Sequence, residues 1–344
     1  MRVLAADVGG TKAALAVVEV AGSSARFERI ARYSSAQHRN LDEILQDFLS
    51  RERRPPRFAG LGVAGPVRNG YALVTKLSWK IAETGLSRRF PKTRFRLVND
   101  FVANAMGLPY LKPRQVRSLS RGRPERGGPI ALLGAGTGLG QAGLLRVGGR
   151  YEPVPSEGGH KDFAPRNERE ERLAAFLRAR FGRAEWDRVL SGEGLVHIYD
   201  CLLGEGVAPE GAAVAEAFRE ESDPAAVISR FGERGADPLC REALFLFVSL
   251  YGSEAGNVAL QYRATGGLYV AGGIAPRILP AIERGPFLES FRNKPPLAAL
   301  LEQIPVRVVL EERLGLYGAA GAAYWMAMEA TRPSSKTTER FRTR

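Results

Sequence analysis

Apolar and polar positions fall into short strand-like runs at the start of this chain, separated by tight turns. Residues 2–7, 13–20 and 26–33 read as successive strands, the meander that hairpin turns require. The period then changes. Leu41, Ile44, Leu45, Phe48 and Leu49 recur at helical spacing, with Asn40 as N-cap and Glu43 three residues on, a capping-box arrangement. Residues 57–64 form the next strand, ended by Gly65-Pro66. Residues 94–98 form another, which carries Asn99-Asp100 at its carboxyl end ahead of a helix over 101–106.

The same grammar returns after a basic, glycine-rich connector from Arg121 to Gly128. Strands over 129–134 and 140–147 form a second hairpin, and a third run is centred on 151–154. Helical patterns then dominate, over 168–181, 192–203, 211–219 and a long stretch from about 237 to 263. A strand over 267–271, a helix starting at Ala275, a last strand over 306–310 and an Ala-rich helix over 314–328 follow. A meander, helix, strand and strand-end acid, given twice with a helical insertion in the second copy, describe two α/β domains facing across a cleft. The expected division is a small domain of residues 1–108 plus 311–330 and a large one of 109–310, with 331–344 a disordered basic tail.

Two glycine turns join the paired strands: Asp7-Val8-Gly9-Gly10-Thr11-Lys12 and Gly134-Ala135-Gly136-Thr137-Gly138-Leu139-Gly140. Glycine accepts positive φ and lets backbone N–H groups approach an anion, while the threonine hydroxyl adds a donor. Brought face to face, two such turns would grip a triphosphate; each alone is also what a tight hairpin requires. Other phosphate motifs fail. No Lys follows a Gly, which excludes a GxxxxGK[ST] loop, and a dinucleotide fingerprint on Gly134 and Gly136 would need glycine where Leu139 stands.

Several side chains near these turns carry chemistry. Asp7 ends a strand beside the first turn, where a carboxylate next to phosphates would hold Mg²⁺ directly or through water, or would simply form the turn. Lys12 would neutralise a phosphate or sit solvated on its strand. Asp100 is either an N-cap or a general base accepting a hydroxyl proton as the oxygen attacks a γ-phosphate. Glu157-Gly158-Gly159-His160 places two glycines between a carboxylate and an imidazole, a turn that points both side chains at neighbouring hydroxyls. Gly272-Gly273, between a strand and a helix, would let a flat base approach the backbone.

Composition narrows the classes. At 344 residues, 44% hydrophobic and 25% charged, the chain suits about two globular domains. No apolar run approaches the ~20 residues of a membrane span, and a strand starting at about residue 2 leaves no room for a signal peptide, so a cytoplasmic protein is expected. Two cysteines fit a reducing compartment, and without CxxC, HExxH or GxSxG spacings neither a zinc site nor a serine-hydrolase elbow is expected. The net charge of +13 raises a nucleic-acid reading. Its basic residues, though, are spread along the chain, favour arginine and show no aromatic interleaving, so no specific nucleic-acid or membrane partner is expected.

In order along the chain stand ADVGGTKAAL at 6–15, GVAGPV at 62–67, LVNDFVANAMGLP at 97–109, LGAGTGLGQAGL at 133–144, PSEGGHKDFAP at 155–165, LSGEGLVHIYD at 190–200 and GGLYVAGGIAPR at 266–277. This set, covering about residues 3–328, resembles the bacterial glucokinases of the hexokinase, actin and heat-shock ATPase superfamily. The resemblance implies a two-domain actin-like ATPase (ribonuclease H-like) fold, each domain with a mixed β-sheet flanked by helices, and an active-site cleft between domains. It implies ATP-dependent phosphorylation of D-glucose to glucose 6-phosphate with Mg²⁺, in a homodimer.

By motif, Asp100 would be the catalytic base, and Asn99, Asp100, Glu157 and His160 would bind the sugar. The family's glutamate four residues before the serine of LSG is here Asp187, a shorter carboxylate expected to reach the sugar directly or through water. Ala6, Asp7, Val8, Gly9, Gly10 and Thr11, together with Gly136, Thr137, Gly138, Gly272 and Gly273, would form the ATP site. A related branch, the repressor, open-reading-frame and kinase family, carries a zinc-binding cysteine cluster that this chain lacks. The alternatives are a kinase for another hexose, such as fructose, mannose or glucosamine, and a non-enzymatic sugar-sensing regulator.

Overall fold

A computed structural model describes residues 1–74 and 77–331. The chain divides into two units, Met1–Tyr110 with the chain from Leu314 onward, and Leu111–Arg313. In the first unit β1 (Arg2–Val8), β2 (Lys12–Ala21) and β3 (Ser24–Ser34) form the expected meander. β3 alternates strictly between exposed and half-buried positions, as an edge strand with one wet face must. Helix α1 (Leu41–Ser50) buries Leu41, Ile44, Leu45 and Phe48 in this unit's core with Leu4, Leu15 and Leu61. Asn40 caps it, accepting from the Glu43 N–H at 3.1 Å. The capping box is not the expected one, because the Glu43 carboxylate reaches past Asn40 to the Arg39 N–H.

Next come β4 (Phe58–Val63) and a small antiparallel sheet of β5 (Val67–Arg68), β6 (Tyr71–Val74) and β7 (Trp79–Ala82). Helix α2 (Glu83–Arg89) then leads to β8 (Arg94–Asn99) and α3 (Asp100–Gly107). Sequence pattern did not reveal the small sheet or α2, whose strands of two to four residues are too short to display a period. The main sheet runs β3-β2-β1-β4-β8, and β1, β4 and β8 are parallel. Val8 pairs with Val63 and Val63 with Asn99, so three carboxyl ends lie side by side. In open α/β sheets that edge is where ligands bind.

The second unit repeats this topology. After β9 (Val116–Ser118), the strands β10 (Ile130–Ala135), β11 (Leu139–Val147) and β12 (Arg150–Ser156) form the second meander. Helices α4 (Glu168–Phe181), α5 (Gly192–Gly204), α6 (Ala212–Glu220), α7 (Pro224–Arg234) and α8 (Pro238–Gln261) follow. Helix α7 was not expected. Its signals were present nonetheless: Asp223 accepts from the Ala226 N–H, Pro224 stands at the first position, and Gly235 ends it at φ 63°. Helix α8 is long and apolar enough to cross a membrane, but 78% of its most apolar window is buried inside the protein, which makes it a core helix.

β13 (Gly267–Ala271), the short helices α9 (Ile274–Arg277), α10 (Leu279–Arg284), α11 (Phe287–Arg292) and α12 (Ala298–Gln303), and β14 (Val306–Val309) complete the unit. Its sheet order, β12-β11-β10-β13-β14-β9, places β10, β13 and β14 parallel as β1, β4 and β8 are in the first sheet. Cys201 and Cys240 are buried free thiols.

The last helix, α13 (Leu314–Thr331), returns to the first unit. Its Gly- and Ala-rich face packs with backbone contact. A side chain at Gly318 would collide with the Ala103 carbonyl, one at Gly107 with the Leu314 carbonyl, and one at Gly60 with the Ala319 carbonyl. Small residues therefore let α13 lie directly on α3 and β4. Thr331 closes this helix rather than opening a tail, and residues 332–344, the rest of the expected disordered tail, lie outside the described residues.

Candidate active site

In the first unit, the end of β1 carries Ala6, Asp7 and Val8 into the Gly9-Gly10-Thr11 turn. The turn is closed by the Gly9 N–H donating to the Lys12 carbonyl at 2.9 Å. Buried Ser35 braces it, its hydroxyl donating to the Gly9 carbonyl at 3.0 Å and its N–H to the Thr11 carbonyl at 3.0 Å. Neither Gly9 nor Gly10 has positive φ, and nor do Gly136 and Gly138 in the second turn. The conformational freedom expected of these glycines is not used: Gly136 leaves open space beside the backbone, whereas Gly138 leaves room for the Asp187 carboxylate. Thr11 and Lys12 are exposed.

Asp7 faces the start of α3. Burial pushes its carboxyl up to about 6, and the nearby Asp100 carboxylate adds to the rise. Gly315 of α13 makes room for it, since a Cβ there would lie 2.6 Å from Asp7 Oδ2. Asp100 is the first residue of α3 and not its cap. Asn99 is the cap, its Oδ1 accepting from the N–H groups of Phe101 at 2.9 Å and Val102 at 3.1 Å. The Asn99 amide nitrogen donates to the Gly65 carbonyl at 3.1 Å and to Asp100 Oδ1 at 3.0 Å. Asp100 Oδ1 also accepts from the Phe101 N–H at 2.9 Å. The Asn99 side chain therefore has all its hydrogen-bonding positions engaged and holds Asp100 Oδ1 together with the Phe101 N–H.

In the second unit, the Gly136 N–H donates to the Gly138 carbonyl at 2.9 Å, and the Gly192 N–H at the start of α5 donates to the Gly136 carbonyl at 3.0 Å. Gly134 pairs with Ala271, so the Gly272-Gly273 turn lies beside this one. Gly272 has φ 83° and its Cα abuts the Ala135 backbone, whereas Gly273 faces open space. Gly136, Thr137 and Gly273 line a pocket of ≈ 780 Å³, a volume suited to a cofactor-sized molecule. Other parts of its wall come from α7, with Ala225, Ser229 and Glu233, which the motifs did not name, and from Arg277 of α9, which closes the GGLYVAGGIAPR motif. Glu233 Oε1 is buried there with no hydrogen-bond partner, and burial raises this carboxyl's pKa.

Glu157 and His160 flank a single turn after β12, both exposed. Packing demands the glycines between them: a side chain at Gly158 would strike Gln141, and one at Gly159 the Leu139 carbonyl. Beneath lies a wholly buried carboxylate, Glu254, which accepts from Gln141 Nε2 at 2.7 Å and from Asn257 Nδ2 at 2.8 Å and pairs with Lys161 Nζ at 3.2 Å. Asp187 lies against the second glycine turn, its Oδ1 accepting from the Leu139 N–H at 2.6 Å and lying 2.7 Å from where a Cβ of Gly138 would be. The acid beside His160 is Glu185, with Oε2 3.3 Å from Nδ1. Among the described residues no cluster of three or more His, Cys, Asp or Glu side chains is placed to hold a metal ion.

The sequence model of one family, described as Glucokinase, matches residues 4–326. The glucokinase of Nostoc sp. (strain PCC 7120) is 40% identical over 332 residues, covering 92% of this chain and 97% of that protein. The glucokinase of Synechocystis sp. is 37% identical, covering 93% and 97%. Among solved structures, a glucokinase from an Antarctic psychrotroph superposes with a TM-score of 0.83 at 30% identity, covering 94% of this chain and 98% of that one.

Proposed function

We propose that this chain, which belongs to the glucokinase family, transfers the γ-phosphoryl group of ATP to the 6-hydroxyl of D-glucose. Its fold is the two-domain actin-like one, with mixed sheets flanked by helices, and its class is that of the ATP-dependent hexose kinases. Asp100 is the base that takes the hydroxyl proton as the oxygen attacks, and the hold of Asn99 and the Phe101 N–H on its Oδ1 supports that role. Asn99 holds this base first and meets the sugar by exchanging one of its partners.

Glu157, His160 and Asp187 are assigned to the sugar hydroxyls. The backbone of residues 6–11 and 136–138 is assigned to the phosphates. The pocket beside Gly272-Gly273 suits the nucleoside.

Mg²⁺ fits the acidic pair of Asp7 and Asp100. Burial and mutual repulsion oppose ionisation of Asp7, a penalty that a divalent cation among hard oxygen donors relieves. Asp7 would hold it directly or through water. The ion supplies neutralisation of charge on the transferring phosphoryl group.

The observation that carries this reading is the alignment of Val8, Val63 and Asn99 at the ends of three parallel strands, which sets Asp7 beside Asp100 in a chain of this family. A cytoplasmic homodimer is the state in which we expect it to work; light scattering on the purified protein checks the assembly. The deciding experiment is a coupled ADP-release assay with glucose, fructose, mannose and glucosamine at matched concentration. Glucose is expected to give the highest kcat/KM. No ADP release with glucose would sink the assignment, and a higher value for another hexose would change the substrate.

A further inference from the structure

Residues 157–163 and 183–188 run side by side in the second unit. The Phe163 N–H donates to the Ala184 carbonyl at 3.0 Å and the Trp186 N–H to the Lys161 carbonyl at 3.0 Å. Arg183 ties the same two segments through its side chain, to the His160 carbonyl at 2.5 Å and to Asp162 Oδ1 at 2.8 Å. The Phe163 and Trp186 rings pack edge to face at 5.0 Å beneath them. This stitching holds the Glu185 carboxylate against the imidazole of His160, 3.3 Å from Nδ1.

The two side chains differ in exposure: Glu185 is 17% exposed and His160 59%, so most of the imidazole stays open while Nδ1 meets the carboxylate. Arg183 Nη1 at 3.6 Å and Arg188 Nε at 4.0 Å balance the charge of the carboxylate. An ionised carboxylate only accepts hydrogen bonds, so its contact with the ring is satisfied when Nδ1 carries a proton. In the neutral ring this leaves Nε2 unprotonated and able to accept.

We propose that Glu185 is a positioning residue for His160: it fixes the ring's rotation and its Nδ1–H tautomer, so that Nε2 accepts a hydrogen bond from a sugar hydroxyl. The proposal rests on the assignment of His160 to the sugar and adds the direction of that hydrogen bond. It separates the two acids of this segment. Asp187 Oδ1 is engaged by the backbone of the glycine turn, whereas Glu185, two residues earlier, faces the imidazole. The charged groups beside this pair are Arg183 and Arg188, with Asp162 held by Arg183, while Lys161 pairs with Glu254 and Asp187 accepts from the Leu139 N–H.

Two measurements test this. Nitrogen-15 NMR of the wild-type imidazoles, with His160 assigned through His160→Ala among only three histidines, reads the tautomer without any activity. The Nδ1–H form is expected in wild type and a mixture of both forms in Glu185→Ala; an Nε2–H ring in wild type overturns the proposal. In kinetics, Glu185→Ala is expected to raise the KM for glucose by about tenfold, with kcat and the KM for ATP changed less than about twofold. Glu185→Gln, whose amide oxygen still accepts, should recover most of that loss.

In a His160→Ala background, Glu185→Ala should add nothing further. An unchanged KM for glucose in Glu185→Ala, or an equal loss with and without His160, overturns the role of Glu185 while leaving the kinase reading intact. A wild-type protein with the Nδ1–H ring but no turnover on any hexose overturns the functional reading and not the positioning geometry.

Discussion

The buried Asp7 carboxyl makes the stability of the folded chain depend on pH, and the dependence is measurable. The Asp7 carboxyl stands at about 6 in the fold against an ordinary 3.8, so the native state holds its proton more tightly than the unfolded chain does. Stability is therefore lost as pH rises from about 4 through 6, and above that range the ionised group costs about 3 kcal/mol at 1.36 kcal/mol per pKa unit. Asp7→Asn should raise the melting temperature by a few degrees at pH 7.5 and leave it unchanged near pH 4, while lowering turnover; thermal unfolding across that pH range checks the sign. Asp100→Asn keeps the hydrogen bonds to Phe101 and Asn99 within reach but removes the base. Turnover should fall by at least about 100-fold with glucose binding, read by intrinsic fluorescence, held within a few-fold. Both acids were visible as candidates in the sequence because each stands where a strand pattern ends. Glu185 was not. It meets His160 only through a pairing between residues 25 apart that no local period announces.

Elements tell a similar story about what a sequence can reveal. Long strands and helices with an apolar face were legible to within a few residues, α4 (Glu168–Phe181) and β13 (Gly267–Ala271) to the residue. The small β5-β6-β7 sheet and the short helices α10, α11 and α12 were not, since they gain their shape from what they pack against, whereas α9 (Ile274–Arg277) was expected from Ala275 onward. The Ala-rich run of α13 read correctly as a helix, but its purpose lies in tertiary contact. Gly318 and Gly107 bring α13 onto α3, the helix that begins with the fixed Asp100, and Gly315 leaves room for Asp7. Gly318→Ala would drive a methyl into the Ala103 carbonyl, and with no flexible side chain to yield, α13 and α3 must separate. Destabilisation of about 1–3 kcal/mol is expected by denaturant unfolding, and kcat measured well below the melting temperature should fall as well. An unchanged kcat in a folded variant would show that α3 holds Asp100 without help from α13.

The two units have separate interiors. One core draws on residues 4 to 97 and the other on residues 131 to 308, with no residue in common. Chain continuity differs between them as well. The first unit needs both ends of the chain, because α13 lies on β1, β4 and α3, whereas the second is a single stretch, Leu111–Arg313, carrying its own six-stranded sheet. A domain of about 200 residues is large enough to sustain one core unaided. The pocket beside Gly136, Thr137 and Gly273 is lined wholly by this stretch, while Asp7, Asn99 and Asp100 belong to the other unit. Expressed alone, residues 111–313 should therefore unfold cooperatively and bind an ATP analogue, detectable by calorimetry, yet release no ADP with glucose. A fragment that folds without binding nucleotide would move the nucleoside site away from this pocket, and one that turns over glucose would remove Asp100 from the chemistry.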